Sequence, residues 1–121
     1  MGPRYTRSGA PAKQYIQEDV TLEQEFDARM QELHQTGKRD AKYSAPLFAE
    51  LLKEHGGLET ARRFIHSPDY AIGFAALWQR ERLDLTVEAV ILQEPKWQPL
   101  FTPEELEICR KRLHEYGYDR V

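Results

Sequence analysis

At 121 residues, the chain is long enough for one compact domain with its own core and short for two. Hydrophobic residues make up 40% of it and charged residues 31%, which is the profile of an ordinary soluble domain. The net charge of −3 argues against the overall basic surface of a dedicated DNA-binding protein. Because no apolar run approaches the ~20 residues of a membrane span and no signal peptide is apparent, we expect a cytoplasmic protein without membrane association.

The first 20 residues differ from the rest in composition and charge. They contain glycine, proline and serine without hydrophobic periodicity, and three basic against two acidic side chains give them a net charge of +1. Residues 21–121 contain 14 basic and 18 acidic side chains, a net charge of −4. We therefore predict a flexible basic N-terminal arm over residues 1–20 and a single helical domain over residues 21–121.

The first of six predicted helices begins at the capping-box pattern of Thr21 and Gln24. Apolar residues then recur at steps of four, four and three, which indicates one buried helix face. That face consists of Leu22, Phe26, Met30 and Leu33. Gly37 is a suitable end for this helix, because glycine adopts the backbone conformations that terminate helices.

Two further helices are predicted on either side of a glycine pair. Ser44 is the predicted N-cap of the second helix, with Pro46 in its first turn, where the missing N–H has no intrahelical partner to lose. Gly56 ends that helix. The spacing of apolar residues predicts a third helix from about residue 58 to residue 66.

The last three predicted helices begin with caps. Ser67 before Pro68 begins the fourth, and Thr86 begins a short apolar fifth helix. The sixth has the strongest start signal, the segment TPEE at residues 102–105, with an N-cap threonine, a first-turn proline and a glutamate that completes the capping box. Because no second strand-like segment could pair with the apolar run of the fifth helix, we predict an all-α compact bundle of about six short helices.

The pair Gly56-Gly57 admits two interpretations. Glycines before a helix can form a loop that binds phosphate, but the dinucleotide and ATP loops require further glycines or a lysine that this segment lacks. Glu59 would also place a carboxylate at the helix end where a phosphate would bind. We therefore interpret the pair as the joint between two helices, with Gly56 in a left-handed conformation.

A DNA-binding helix-turn-helix motif is a more serious alternative for the same segment, because it too joins two helices through a glycine-containing turn. Its second helix would present Arg62, Arg63 and His66 to a nucleic-acid groove. Glu59 fits this motif poorly, because it would face phosphates near the reading end of that helix. Nucleic-acid binding through these three residues, assisted by the arm, is therefore the second choice.

Aromatic residues cluster near the C-terminus. Trp97 and Phe101 lie in a proline-rich connection, and Tyr116 and Tyr118 lie at the end of the last helix and just beyond it. Such rings either fill the core or remain exposed as anchors for a protein partner. We expect the proline-rich connection to fold over the core with Trp97 as a buried plug. The functional alternative is that the rings are exposed, and in that case these four residues are the predicted partner-binding set.

No pattern in the sequence predicts catalysis, a metal site or a cofactor. The four histidines are not spaced as helical metal ligands. The single cysteine, Cys109, lies on a predicted apolar helix face, where a thiol acts as a small hydrophobe. We therefore expect neither an enzyme nor a protein that requires a metal or cofactor.

Three segments within residues 43–118 resemble a small all-helical domain of uncharacterised bacterial proteins: GGLETARRFI, GFAALWQRERLDLTVEAVIL and WQPLFTPEELEICRKRLHEYGY. The resemblance implies a bacterial or phage origin and a self-standing domain. It supplies no functional residues. From the residues themselves we expect a non-enzymatic interaction or regulatory domain that binds a protein partner, with a nucleic-acid-binding helical domain as the alternative.

Overall fold

The computed structural model describes residues 20–67 and 71–120, and within them the chain is all-α, with no strand. The α-helices are α1 Leu22–Asp40, α2 Pro46–His66, α3 Ala71–Gln79, α4 Val87–Gln93 and α5 Pro103–Glu115. Short 3₁₀ helices at Leu83–Leu85 and Pro95–Leu100 precede α4 and α5. Because α2 is interrupted at Gly56, these residues contain six α-helical segments, and the predicted fold class is confirmed.

Two predicted features lie outside the described residues. One is the N-terminal arm, of which only Val20 is described, and the other is the start of the fourth helix at Pro68. Ser67, the predicted cap of that helix, follows the last residue of α2, and its backbone N–H donates to the Arg63 carbonyl.

Three predicted helix starts are confirmed, and in each a threonine hydroxyl caps the helix. Thr21 accepts a hydrogen bond from the N–H of Gln24, whose side chain accepts one from the Thr21 N–H. Thr102 and Glu105 form the same reciprocal pair at the start of α5. Thr86 caps α4 without a returning side chain. Each hydroxyl satisfies a backbone N–H that the helix leaves without an internal partner.

The connection between α1 and α2 differs from the prediction at both ends. α1 continues one turn past Gly37, whose carbonyl accepts hydrogen bonds from the N–H groups of Ala41 and Tyr43. α2 begins after Ala45, which has φ 45° and ψ 62°, and no side chain caps it. The left-handed backbone at Ala45 turns the chain into α2, so Ser44 lies one residue too early to be the N-cap.

The glycine pair is the joint between two helical segments, as predicted. Gly56 has φ 79° and ψ 174°, so its φ is positive but its ψ lies outside the left-handed helical region, in a conformation essentially restricted to glycine. Gly57 lies against α1, where a Cβ atom on it would be 2.7 Å from Asp27 Cα. The Gly57 N–H donates to Asp27 Oδ1 at 2.6 Å. This carboxylate therefore occupies the helix start at which a phosphate would bind.

The core is centred on Phe26, which is fully buried. Its ring makes edge-to-face contacts with Trp97 and Phe101, at centroid distances of 5.3 and 5.5 Å. Other side chains with almost no exposure are Met30, Ile65, Ile91, Cys109 and Leu113. These residues bring α1, α2, α4 and α5 together, and α3 contributes Phe74 and Leu77.

Thr60 is a polar exception in this core. It is fully buried, and its hydroxyl has no hydrogen-bond partner among the described residues. We predict that Thr60→Val, which keeps the shape of the side chain and removes the hydroxyl, raises the free energy of unfolding by about 1 kcal/mol, because an unsatisfied buried hydroxyl loses its hydration without compensation. Urea denaturation of the two proteins measures the difference. A lower midpoint for Thr60→Val would show that the hydroxyl is hydrogen-bonded in solution.

Candidate functional site

Two of the four aromatic residues predicted to contact a partner lie in the core. Trp97 is 4% exposed and Phe101 is 7% exposed, since both pack against Phe26. The Trp97 indole N–H donates to Glu94 at 2.7 Å, so the polar edge of the ring is also satisfied within the chain. Both rings therefore fill the core, as expected for Trp97, and neither is the exposed anchor of the functional alternative.

The other two, Tyr116 and Tyr118, lie at the surface beside α3. Tyr116 is 39% exposed, and its ring lies 5.5 Å from that of Trp78, which is 47% exposed. The Tyr116 ring also packs on the buried ring of Phe74 at 4.8 Å. Tyr118 is half-buried, and its hydroxyl accepts a hydrogen bond from Gln93. We call Trp78, Tyr116 and Tyr118 the aromatic surface; Trp78 is not among the four residues predicted to bind a partner.

Helix α3 has an unusual composition for a helix at the surface. Apart from Gln79, it contains no polar residue. Over residues 73–79, only Phe74 and Leu77 are buried, whereas Trp78 is exposed. A helix that is apolar on all sides is normally enclosed by other elements. The uniform apolar composition of α3, readable in the sequence, is the signal that could have added Trp78 to the predicted site.

An apolar cleft of about 350 Å³ lies between α3, the start of α2 and the segment around Thr86. Its apolar walls include Leu33, Leu47, Phe48, Phe64, Phe74 and Leu77. Leu47 is 46% exposed, so this apolar lining continues to the protein surface. Polar lining residues include His34, whose ring nitrogen Nε2 lies 2.8 Å from the Ser44 carbonyl oxygen. The volume is in the range of clefts that accept small ligands or side chains.

Glu88 brings a carboxylate to the lining of the apolar cleft, and Arg112 from α5 neutralises it. The Glu88 side chain is 4% exposed, and its Oε2 accepts a hydrogen bond from Arg112 at 2.6 Å. Arg112 also donates to the carbonyls of Phe64 and Ile65 near the end of α2. Burial raises the pKa of Glu88, and the charge of Arg112 opposes that shift. The pair joins α2, α4 and α5, and we assign it a structural role.

The three residues predicted for nucleic-acid binding lie together on α2, beside carboxylates. His66 Nε2 is 2.8 Å from Glu105 Oε2, and Arg62 Nε is 3.6 Å from the same oxygen. Arg63 pairs with Glu59, one turn earlier on α2, at 3.0 Å. Each basic side chain therefore has an acidic neighbour within the chain, which reduces the positive potential that a phosphate would meet.

Glu105 is the centre of this cluster. Burial alone would raise its pKa, but hydrogen bonds from the Thr102 N–H and from His66, together with the charge of Arg62, lower the pKa below its ordinary value. A carboxylate with a lowered pKa stabilises the folded state above its unfolded pKa, and this contribution is lost as the pH falls. The cluster therefore holds the start of α5 to the end of α2 at neutral pH.

Residues 20–67 and 71–120 contain no group of three or more histidine, cysteine, aspartate or glutamate side chains that could hold a metal ion. Cys109 is fully buried, and burial raises the pKa of its thiol to about 12. Because the thiolate is the reactive form, Cys109 serves as a packing residue. Within the same ranges, no helix combines the length and the apolar character needed to cross a membrane.

The fold and the surface define a class: a small all-α domain with an apolar cleft and an aromatic surface beside one apolar helix. Comparison of the chain with protein-family models, with curated proteins and with solved structures found no match. The candidate site is thus the surface formed by α3, the apolar cleft and the aromatic surface.

Proposed function

We propose that this chain is a non-enzymatic interaction domain that binds a protein partner at α3, through the apolar cleft and the aromatic surface. The observation that carries this proposal is that α3, apolar along almost its whole length, leaves Trp78 47% exposed. Over residues 73–79, the side of the helix with Phe74 and Leu77 is buried, whereas the side with Trp78 is exposed. A partner that covers the exposed side would remove its apolar surface from water, and exposed apolar patches of this kind mark interaction sites.

The aromatic surface supports the proposal through its residue types and through contacts that restrict its side chains. Tryptophan and tyrosine are enriched among the residues that contribute most to binding energy at protein interfaces. The Trp78 ring contacts the ring of Tyr116, which in turn packs on Phe74. These contacts restrict the side chains before binding, so the entropy that a partner must remove is smaller.

The apolar cleft supplies the second part of the contact area. Its lining is largely apolar, and the exposed Leu47 lies among its lining residues. A partner side chain of leucine size buried there would gain about 2 kcal/mol from removal of its surface from water. We therefore expect the partner to present an apolar side chain to the cleft.

The contacts of Arg62, Arg63 and His66 favour a protein partner over nucleic acid. Affinity for nucleic acid rests largely on counterion release by basic side chains that contact phosphates. Here these side chains are paired with Glu105 and Glu59. A phosphate would have to displace carboxylates that are already in place.

Affinity purification from the native host with three forms of the chain tests the proposal: wild type, Trp78→Ala and Val20→Ala. Val20 is the matched control, because it is 41% exposed and lines neither the apolar cleft nor the aromatic surface. We expect one protein to be retained by the wild type and by Val20→Ala. Calorimetric titration with that purified protein should show at least about tenfold weaker binding to Trp78→Ala, with an unchanged circular dichroism spectrum.

Titration of labelled duplex and single-stranded DNA at two salt concentrations tests the alternative. The proposal predicts weak binding at physiological salt, because Arg62 and Arg63 are paired with acidic side chains and residues 21–121 carry a net charge of −4. Tight, salt-sensitive binding that is lost with Arg62→Ala and Arg63→Ala would overturn it in favour of nucleic-acid binding.

A further inference from the structure

A second cleft, of about 320 Å³, lies between the end of α3 and the chain that follows α5. We call it the C-terminal cleft. All three residues of the aromatic surface line it, together with acidic residues from two segments. The lining comprises Trp78, Tyr116, Tyr118, Glu81, Asp84 and Asp119 among others. Aromatic rings and carboxylates thus meet in one concave site.

Two of the three acidic residues in this lining are available to a ligand. Asp84 is already bound by Arg82, which donates two hydrogen bonds of 3.0 Å to its two oxygens. Asp119 has a weak neighbour in His114, at 3.7 Å. Glu81 forms no ion pair within the part of the chain that the structure describes. The free negative charge of the cleft therefore lies on Glu81 and Asp119.

The backbone fixes Glu81 close to Trp78. The Glu81 N–H donates to the Trp78 carbonyl, and the Arg82 N–H donates to the Leu77 carbonyl, which together close the last turn of α3. Glu81 has φ 60°, a left-handed conformation that glycine usually adopts at a helix end and that costs other residues about 1 kcal/mol. The chain thus holds a charged residue at this position, and Glu81 lines the same cleft as the exposed Trp78.

We propose that the C-terminal cleft binds an arginine side chain of the protein partner, with the guanidinium on the rings of the aromatic surface and its N–H groups paired with Glu81 and Asp119. This inference rests on the proposed function and adds the chemistry of the partner. Aromatic faces attract cations, and a planar guanidinium stacks on them while still donating to carboxylates. The net charge of −4 over residues 21–121 also favours the approach of a basic segment.

A substitution at Arg120 tests the proposal, because it is expected to increase the affinity for the ligand. Arg120 lines the same cleft and forms no ion pair with the described residues. Its positive charge repels an incoming guanidinium, so Arg120→Gln is expected to strengthen binding. A variant that merely disturbed the fold would weaken binding instead.

The experiment titrates the full, ¹⁵N-labelled chain with an acetylated and amidated tetra-arginine peptide, and follows the indole N–H signals of its two tryptophans. Trp78→Phe assigns the signals. We expect the Trp78 signal to shift and the signal of Trp97, which is 4% exposed, to stay in place. Glu81→Gln should weaken binding about threefold and Arg120→Gln should strengthen it by a similar factor. Glu50→Gln, at an exposed carboxylate outside the cleft, should leave the affinity unchanged.

Comparison peptides and the partner itself complete the test. Tetra-lysine should bind more weakly than tetra-arginine, and equal binding would overturn the assignment to arginine. The proposed site would be wrong if wild type and Glu81→Gln bound tetra-arginine with equal affinity, or if the indole N–H signal of Trp78 did not shift. If Trp78→Ala weakens binding of the purified partner but Glu81→Gln and Arg120→Gln leave its affinity unchanged, the proposed function stands and this inference fails. If Trp78→Ala also leaves the affinity unchanged, both fail.

Discussion

Replacing Gly57 with alanine is expected to lower the free energy of unfolding by about 3 kcal/mol. The added Cβ would lie 2.7 Å from Asp27 Cα and 3.1 Å from Met30 Cγ. The backbone of α1 cannot rotate away as a flexible side chain can, so α1 and α2 must move apart along their contact. The change should appear as a lower urea midpoint with an unchanged denaturant slope.

Gly37→Ala is the matched control for this experiment. Gly37 is also a buried helical glycine, but the nearest atom to its added Cβ is the Tyr43 carbonyl oxygen at 3.6 Å, an ordinary contact. Alanine has the higher helix propensity, so this variant should gain up to about 1 kcal/mol. If Gly57→Ala unfolded at the wild-type midpoint, the two helices could not cross as closely as described.

Arg112→Met is expected to lower the free energy of unfolding by about 4 kcal/mol at neutral pH, because it leaves the buried carboxylate of Glu88 without its cation. The variant also loses the hydrogen bonds of Arg112 to two carbonyls at the end of α2. Arg110→Met is the control on the same helix. Arg110 forms an exposed ion pair with Glu107, so its loss should cost less than about 0.5 kcal/mol.

The pH dependence separates this charge effect from lost packing. Burial raises the pKa of Glu88, so this group binds a proton more tightly in the folded chain than in the unfolded chain. Its contribution to stability is therefore largest below its unfolded pKa of about 4.3 and is lost as the pH rises through the folded pKa. Arg112→Met removes the opposing charge. The difference in free energy of unfolding between wild type and this variant should therefore shrink as the pH is lowered from about 7 to about 5. If this difference in free energy of unfolding did not change with pH, lost packing would be its cause.

The sequence predicted those helix starts whose caps are local. At Thr21, Thr86 and Thr102, the hydroxyl and the N–H it binds are three residues apart, so both groups can be read from one short segment. The start of α2 could not be read in this way. Ala45 has a left-handed backbone, but alanine is not a residue type that predicts this conformation. The conformation is imposed by the turn that directs α2 back along α1.

The candidate site was predictable only in part, because exposure depends on contacts between distant segments. Trp78 and Trp97 are both tryptophans, yet Trp78 is 47% exposed and Trp97 is 4% exposed. The difference arises because Trp97 packs on Phe26 from α1, a contact that no local pattern contains. The pairing of His66 with Glu105 joins positions 39 residues apart and was equally invisible in the sequence.

The close crossing at Gly57 also bears on the order in which the domain folds. Asp27 and Gly57 are 30 residues apart, whereas the ion pair between Arg29 and Glu94 joins positions 65 residues apart. The shorter loop loses less chain entropy on closure, and contacts between nearby segments form faster. We therefore expect α1 and α2 to form the folding nucleus, onto which the C-terminal helices dock later.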